Sequence, residues 1–283
     1  MKCDAVKRFF LLAALCAFCL AGCAAAPKAP VEEPAAALTV YCFSAGAADA
    51  FLLTAEDGAV LIDCGEKGFG REIVAYLKAQ GIEQLDYLII THFDKDHVGG
   101  AAKVLASVAV GRVLQSNYPK DSKEYNNYLD ALDEAGLAAE TVRETLRFAL
   151  GGVWFEVDPP IGGYTEDASN NSSLIVTVAN GSDRLLFPGD AEDQRLAEFL
   201  DGFTGNCDYL KVPHHGRRGE LSAALIDAVH PKIAVITSSD GEPEDTEIVE
   251  LLERIGAEVF FTKEAPVLIE STGQGVSARY AGE

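Results

Sequence analysis

The sequence predicts an α/β protein in which two sheets are faced by helices and a metal-capable site lies at one edge of the sheets. Apolar runs typical of strands occur in both halves of the chain, with helical patterns between them. Neither a fixed-period repeat nor a second domain boundary is visible in the sequence. In addition, two of the five histidines fall in one six-residue segment directly after an apolar strand. Layered sheets and helices with polar groups at strand ends account for all three observations.

Residues 1–22 are predicted to be a signal peptide and not part of the fold. Lys2, Lys7 and Arg8 give a basic start, and the apolar run Phe9–Leu20 is too short to span a bilayer. Leu20-Ala21-Gly22-Cys23 then resembles a bacterial lipobox, whose cysteine carries lipid and becomes the mature N-terminus. An ordinary signal peptide that contains a cysteine is the alternative.

A tether is predicted over residues 23–37, and a single domain over residues 38–283. The tether is rich in Ala and Pro and shows no helical or strand period. A layered α/β fold can fill the length that remains. We therefore expect a protein of the bacterial cell envelope, anchored by lipid on the extracytoplasmic face of the membrane and touching the membrane nowhere else.

The chain is strongly acidic. Its formal net charge is −21 at pH 7, and removal of residues 1–22 would take away three basic residues and one acidic residue, leaving −23. Surfaces that follow nucleic acid normally rely on Lys and Arg to neutralise phosphates. The charge therefore argues against a broad surface of that kind.

In the first half of the chain, three predicted strands come before the first predicted helix, and a fourth strand separates that helix from the next. A continuous apolar strand at Tyr87–Ile90 indicates burial on both faces. The stretch Ser122–Ala149 is predicted to be mostly helical or irregular, and is expected to form a lid or a substrate-facing insert. The other predicted elements are strands Leu38–Phe43, Ala50–Leu53 and Ala59–Ile62 and helices Arg71–Ala79 and Ala101–Ala106.

The second half alternates strands and helices more regularly. Thr246 is the predicted N-cap of a helix over Glu247–Ile255, which Gly256 ends. Two short strands are expected at the end of the chain. The other predicted elements are strands Val153–Val157, Leu174–Val178, Leu185–Phe187, Tyr209–Val212, Ile233–Ile236 and Glu258–Phe261 and helices Asp193–Leu200 and Ala223–Val229.

Residues 91–100 form the most informative segment of the chain. They read Thr-His-Phe-Asp-Lys-Asp-His-Val-Gly-Gly and follow the buried strand. Imidazole nitrogens suit zinc, and carboxylate oxygens suit manganese or magnesium as well. His92, Asp94, Asp96 and His97 are therefore predicted to bind metal, the alternative being a solvated turn with two surface histidines.

Other strand ends carry similar groups. Asp63 follows Leu61-Ile62, and Asn171 and Ser173 precede the strand at Leu174. Asp190 closes a Pro-Gly-Asp loop, for which a plain turn is the alternative. His214 and His215 follow the strand at Tyr209, and on their own they could be a surface pair.

Taken in order, these motifs resemble those of metallo-β-lactamase-fold hydrolases, and within them the hydrolase domain of ComEC-type competence proteins and its stand-alone relatives. The matching segments are His92–Gly100, Asn171–Leu174, the loop that ends at Asp190, and Lys211–Gly216. The resemblance covers Leu38 to Tyr280. It implies a four-layer αββα sandwich with a site for one or two divalent ions, zinc or manganese, between the sheets.

The resemblance also implies roles for single residues. His92 and Asp94 would bind one ion, Asp96 and His97 the other, with Asp190 bridging the two. One of His214 and His215 would complete the second set of ligands, and the sequence does not decide which. Asp63, Asn171 and Ser173 are expected to support the ligands from behind. The expected catalytic residues are Asp96, His214 and His215.

Three positions depart from the family pattern. Most members of the superfamily have histidine where this chain has Asp94, so the first ion would meet a harder, oxygen-rich set of ligands. A third histidine of that set is replaced by the Asn171/Ser173 region. The usual Val-Gly-Gln-Gly-Asp opening is only partly kept in Phe43–Asp49.

The predicted function is metal-dependent hydrolysis, most specifically of phosphodiesters, by a metal-bound hydroxide. The substrate is expected to be a phosphoester, either polymeric as in a nuclease or small, and no protein partner is expected. Lys95 and Arg217, together with Arg218 and Lys211, are predicted to gather near the metal and grip a phosphate, the alternative being a solvated basic face. A non-catalytic surface binding protein on the same scaffold is the alternative function.

Overall fold

A computed structural model of the chain describes residues 36–56 and 58–283. The predicted signal peptide, the lipidation site Cys23 and most of the predicted tether lie outside the described residues. Within the described ranges, fifteen strands form one sheet of eight and one of seven, each with helices on its outer face. The predicted four layers are therefore confirmed. No helix in the described ranges is both long enough and apolar enough to cross a membrane.

The first sheet contains the N-terminal strands together with the last two strands of the chain. Its order is β15-β14-β1-β2-β3-β4-β5-β6, antiparallel from β15 to β3 and parallel from β3 to β6. The bounds are β1 Leu38–Cys42, β2 Phe51–Ala55, β3 Gly58–Ile62, β4 Gln84–Ile90, β5 Ala109–Gln115, β6 Ala139–Thr141, β14 Val267–Ser271 and β15 Val276–Tyr280.

The second sheet contains the strands between them. Its order is β13-β12-β11-β10-β9-β8-β7, parallel from β13 to β10 and antiparallel from β10 to β7. The bounds are β7 Leu146–Leu150, β8 Val153–Asp158, β9 Ile175–Asn180, β10 Asp183–Phe187, β11 Tyr209–Lys211, β12 Ile233–Ile236 and β13 Glu258–Phe261.

The helices cover the outer faces, and a large apolar core lies between the sheets. Val40 and Phe51 of the first sheet share that core with Phe155 and Phe187 of the second. Separate apolar clusters join the first sheet to its helices and the second sheet to its own. The helices are α1 Gly70–Ala79, α2 Lys95–Val98, α3 Ala101–Leu105, α4 Lys123–Glu134, α5 Asp193–Gly202, α6 Ser222–Val229 and α7 Thr246–Arg254.

Two sequence expectations are wrong in detail. Ser122–Ala149 is mostly helical or irregular as expected, but it also supplies β6 and most of β7 as edge strands of the two sheets, so it is part of the layers and not a separate lid or insert. Tyr128 of α4 is fully buried in the core under the first sheet, so this helix belongs to the outer layer. Thr246 is the first residue of α7 and not its N-cap; the preceding Asp245 uses its carboxylate to accept the Arg218 amide at 2.7 Å.

Candidate metal centre

The carboxyl ends of parallel strands from both sheets meet at one edge of the sandwich. Asp63 directly follows β3, Thr91 and His92 follow β4, and Thr237 follows β12. The loops after β10 and β11 carry Asp190, His214 and His215. Because parallel strands end at the same edge of a sheet, residues far apart in the chain lie together here.

Four ligand atoms converge at this edge. One atom each from Asp96, His97, Asp190 and His215 lies within 4.8 Å of the other three. His97 Nε2 and His215 Nε2 are both 3.1 Å from Asp190 Oδ2, and His215 Nε2 is also 3.1 Å from Asp96 Oδ2. We call these four residues the ligand cluster. Two imidazole nitrogens and two carboxylate oxygens form a set of ligands that suits zinc or manganese.

His97 is oriented by Asp63, which lies beneath it. Asp63 Oδ2 is 2.8 Å from His97 Nδ1 and accepts the Thr91 hydroxyl at 2.6 Å, while Asp63 Oδ1 accepts the Thr91 amide at 2.8 Å. A carboxylate can only accept, so the proton of the neutral imidazole lies on Nδ1 and the lone pair of Nε2 faces the cluster. Asp63 itself has a positive φ of 56°, a conformation that Asp tolerates better than most residues.

His215 is oriented in the same way by a longer relay. Its Nδ1 is 3.0 Å from Thr237 Oγ1, and the Thr237 hydroxyl donates to Asp49 Oδ1 at 2.7 Å. Thr237 therefore accepts from His215 Nδ1, and the Nε2 lone pair faces Asp96 and Asp190.

Two buried nitrogens at this edge lack a hydrogen bond. Among the described residues, neither His92 Nε2 nor His97 Nε2 makes one, although both atoms are buried. Buried polar atoms are normally satisfied, and His97 Nε2, which faces Asp190 Oδ2 at 3.1 Å within the ligand cluster, calls for a cation between the two atoms. The residues of the ligand cluster therefore fit a divalent ion.

The pKa values show how strongly the carboxylates act on the histidines. Burial by itself lowers the pKa of His215, but Asp190 and the hydrogen bonds to Asp190 and Asp96 outweigh it and raise the pKa to about 9. Burial also lowers the pKa of His97. The negative charges of Asp190 and Asp63 outweigh this effect and raise the pKa of His97 well above its ordinary value. A ligating imidazole must be neutral, so metal binding here releases protons.

A buried lysine holds the opposite side of Asp190. Lys211 is fully buried, and its Nζ lies 3.1 Å from Asp190 Oδ1, 2.8 Å from Gly189 O and 2.5 Å from Asp49 Oδ2. Burial by itself raises the pKa of Asp190, but His215, His97 and Lys211 hold it well below its usual value. Lys211 thus keeps Asp190 ionised and turns Oδ2 toward the histidines.

His92 and Asp94, expected to hold a second ion, lie outside the ligand cluster. His92 Nε2 is 3.9 Å from Asp94 Oδ1. Burial, followed by the charge of His97, lowers the pKa of His92 to about 4, so this imidazole is neutral. Asp94 Oδ1 accepts hydrogen bonds from Lys120 and Ser169.

The structure brings His215, and not His214, to the ligand cluster. His214 turns outward, with Nδ1 3.0 Å from Glu192 Oε1 and Nε2 3.5 Å from Asn170 Nδ2. Both histidines have positive φ, 48° and 55°, which sends consecutive side chains in different directions. Non-glycine residues rarely adopt this conformation, and it is typical of functional sites.

The remaining predicted site residues support the loops or face solvent. Ser173 Oγ accepts the Asp190 amide at 3.2 Å and lies 3.3 Å from His92 Nδ1, and Asn171 Oδ1 accepts the Arg195 amide at 2.9 Å. Lys95 and Arg217 do not join the ligand cluster. They are exposed and paired with Glu66 and Glu242, at 3.1 Å and 3.0 Å.

Several residues that contact the predicted ligands were not predicted, among them Asp49, Lys120 and Thr237. Lys211 was expected to grip a phosphate, and the structure instead pairs it with Asp190. Asp49 lies in the segment Phe43–Asp49 that partly keeps the competence-type pattern, and that was a usable signal. Thr237 and Lys120 stand in no such segment. Only the packing of strands and loops brings them to the site.

Comparison with known proteins shows the family to which the chain belongs. A sequence profile described as the Metallo-beta-lactamase superfamily matches residues 44–238. ComE operon protein 3 of Bacillus subtilis is 35% identical over 172 residues, covering 59% of this chain and 21% of the relative. Competence protein ComA of Neisseria gonorrhoeae is 29% identical over 222 residues, covering 77% and 29%. The chain thus spans less than a third of the length of these relatives, and the predicted resemblance is confirmed.

Solved structures share the fold. The metallo-beta-lactamase fold protein YhfI from Bacillus subtilis superposes with a TM-score of 0.59 at 13% identity, covering 83% of this chain and all of that one. CmlA, a diiron beta-hydroxylase from Streptomyces venezuelae, gives 0.50 at 16% identity, covering 78% and 52%. Identities this low show the fold alone, and the activity has to be argued from the site.

Proposed function

This chain belongs to the metallo-beta-lactamase superfamily, and from that premise we propose that it is a metal-dependent hydrolase, most specifically a phosphodiesterase. The observation that carries the proposal is the ligand cluster, in which four ligand atoms converge and the buried His97 Nε2 finds no hydrogen-bond partner in the part of the chain that the structure describes. A divalent ion held there would supply a Lewis acid that polarises a phosphoryl oxygen and acidifies water.

The residues around the ligand cluster are arranged to keep its charges fixed. Asp63 and the Thr237–Asp49 relay each hold one histidine in a single orientation. Supporting hydrogen bonds of this kind set the basicity and direction of the ligands. At the rim, Glu192 holds His214 by Nδ1, so that this imidazole can hydrogen-bond a substrate oxygen or a leaving group.

For the substrate we propose a small or lipid-linked phosphoester first and a nucleic acid second. The formal net charge of −21 disfavours a long polyanion. Nucleic acid is kept as the second candidate substrate because the names of relatives refer to competence. For the location we propose the outer face of a bacterial membrane, with lipid on Cys23 as the sole attachment.

The test is turnover of bis-(p-nitrophenyl) phosphate with zinc or manganese. We expect Asp96→Ala and His97→Ala each to abolish turnover, because each removes one of the four ligands. His230→Asn is the matched control, since His230 is exposed, lies outside the ligand cluster and has a positive φ that Asn tolerates. Wild-type rates in both ligand variants would refute the proposed centre.

A second assay decides the substrate class. Single-stranded DNA, double-stranded DNA and phosphocholine esters are offered in parallel to the metal-loaded protein and to Asp96→Ala. Cleavage of the esters alone supports the small-substrate proposal, and cleavage of DNA at a higher rate overturns it. A protein that binds no metal and cleaves nothing is instead the surface binding protein of the alternative hypothesis.

A further inference from the structure

Asp94 and His92 do not form a second set of ligands comparable to the ligand cluster. Among the described residues, neither belongs to a group of three His, Cys, Asp or Glu side chains whose ligand atoms could share one ion. Their nearest ligand atoms, His92 Nε2 and Asp94 Oδ1, are 3.9 Å apart. Asp190, the expected bridge, has Oδ1 held by Lys211 and Oδ2 turned toward His97 and His215. Zinc sites in proteins normally use at least three protein ligands, so the pair of His92 and Asp94 is short of ligands.

The oxygen that would face a second ion is already engaged. Asp94 Oδ1, the carboxylate oxygen nearest His92 Nε2, accepts hydrogen bonds from both Lys120 Nζ and Ser169 Oγ. Two donors on one carboxylate oxygen leave it little capacity for a metal. A divalent ion at this oxygen would also lie beside an ammonium group, and two cations would share one carboxylate.

The loop that carries Lys120 is anchored. It leaves β5 at Ser116, whose hydroxyl donates to Ser172 O at 2.5 Å, and Asn117 Nδ2 donates to Pro160 O at 3.4 Å. Ser122 then caps α4 by accepting the Tyr125 amide at 3.2 Å. Bonds on both sides of Lys120 therefore fix its backbone next to Asp94.

We propose that Lys120 supplies the second positive charge of this centre, so that the protein uses one divalent ion and one ammonium group where a two-metal site would use two ions. The proposal rests on the proposed function for the presence of the first ion. The ammonium group of Lys120 has three N–H donors. One of them donates to Asp94 Oδ1 and a second donates to Ser169 Oγ at 3.4 Å. The Lys120 side chain is 33% exposed, so the third donor is open to an anionic group such as the phosphate of a substrate.

Metal stoichiometry tests the number of ions. The full-length chain is stripped with a chelator, titrated with zinc or manganese by calorimetry, and its bound metal is measured after dialysis. We expect one ion per chain in the wild type and none in Asp96→Ala. Two tightly bound ions in the wild type would overturn this inference and leave the proposed hydrolase standing. No bound ion in the wild type would remove the proposed function itself.

Binding of orthophosphate tests the role of Lys120. Orthophosphate is titrated into the metal-loaded wild type and into Lys120→Met, which keeps the aliphatic stem and removes the charge. We expect the affinity for phosphate to fall about tenfold or more, the scale of one hydrogen bond to a charged group, with the metal stoichiometry unchanged. Lys78→Met is the matched control, because this lysine is exposed in the last turn of α1 and belongs to no predicted site. Equal phosphate affinity in Lys120→Met and the wild type would refute the role of Lys120.

Discussion

At the residue scale, the centre depends on which nitrogen of each histidine is free. His97 and His215 each give Nδ1 to a hydrogen-bonding partner and turn Nε2 to the ligand cluster. The partners are Asp63 and Thr237, both at the ends of strands. An imidazole that is already held in its binding orientation loses no further rotational freedom when it binds metal. The supporting residues Asp63 and Thr237 therefore raise the affinity for metal.

The substitution Asp63→Asn tests this dependence. Asn tolerates the positive φ of 56° at this position, but it removes the charge that holds His97 and one acceptor for Thr91. We expect metal affinity to fall by about 10- to 100-fold. Competition with a chromophoric chelator measures it, with the exposed Asp201→Asn as the control. Equal affinity in Asp63→Asn and the wild type would contradict the supporting role.

The stabilisation by metal should depend on pH. In the metal-free protein the pKa of His215 is raised from 6.5 to about 9, so its contribution to stability is complete below pH 6.5 and is lost as the pH rises toward 9. Metal binding needs the neutral imidazole and becomes stronger over the same range. We therefore expect the rise in Tm on adding metal to grow from pH 6.5 to pH 8.5, measured by scanning fluorimetry with and without metal. A constant rise would contradict the assigned titration.

At the scale of elements, the loop between β4 and α3 is held against the loop after β3 by close backbone contacts. The Gly100 amide donates to Gly65 O at 3.1 Å, and the Cys64 amide donates to His97 O at 2.7 Å. A Cβ atom on Gly100 would lie 2.1 Å from Cys64 O, which is a clash with backbone. Glycine is therefore required here by close approach, and this contact positions α2 with Asp96 and His97.

Gly100→Ala is expected to destabilise the fold. Overpacking against backbone costs about 1–3 kcal/mol in the free energy of unfolding, because the two loops must separate. Gly241→Ala is the control, since a Cβ atom there has no neighbour within 4 Å, and its effect should stay within about 0.5 kcal/mol. Urea denaturation of both variants gives the comparison. Similar midpoints for the two would show that the contact is not tight.

At the scale of the whole molecule, the two sheets are joined by aromatic side chains as well as aliphatic ones. Tyr87 of the first sheet stacks on Phe148 of the second at 3.8 Å, and Phe148 stacks on Phe155 at 4.8 Å. Phe155 is only 2% exposed, whereas its neighbour Trp154 on the same strand is 59% exposed. Successive residues of a strand face opposite sides of the sheet, which explains the contrast.

This contrast gives a matched pair of substitutions. Phe155→Ala opens a cavity between the sheets, and we expect it to cost about 3–5 kcal/mol of stability. Trp154→Ala removes a larger side chain from the outer face and should cost less, because Trp154 is 59% exposed and its removal leaves no cavity between the sheets. Guanidinium unfolding of both variants measures the difference. An equal loss of stability in the two variants would contradict the placement of Phe155 in the core between the sheets.

Much of the fold and part of the centre can be read from the sequence. Apolar periodicity and turn residues gave most strands and helices, and the order of four motifs gave the family and the four layers. Each of these patterns is local, because its residues lie within a few positions of one another in the sequence. The same patterns missed the edge strands β6 and β7; β6 is only three residues long and mostly polar, so it carries little apolar signal.

Only the tertiary structure decides how those local pieces meet. His215 and Asp96 are 119 positions apart, and Thr237 and Asp49 are 188 apart, yet both pairs are within hydrogen-bonding distance. The choice of His215 over His214, the burial of Lys211 and the hydrogen bond from Lys120 to Asp94 follow from the packing of two sheets and their loops. The sequence determined that a metal-capable edge exists, because ligand types and strand ends are local properties. The structure determined which side chains face one another across it, because that depends on contacts between distant parts of the chain.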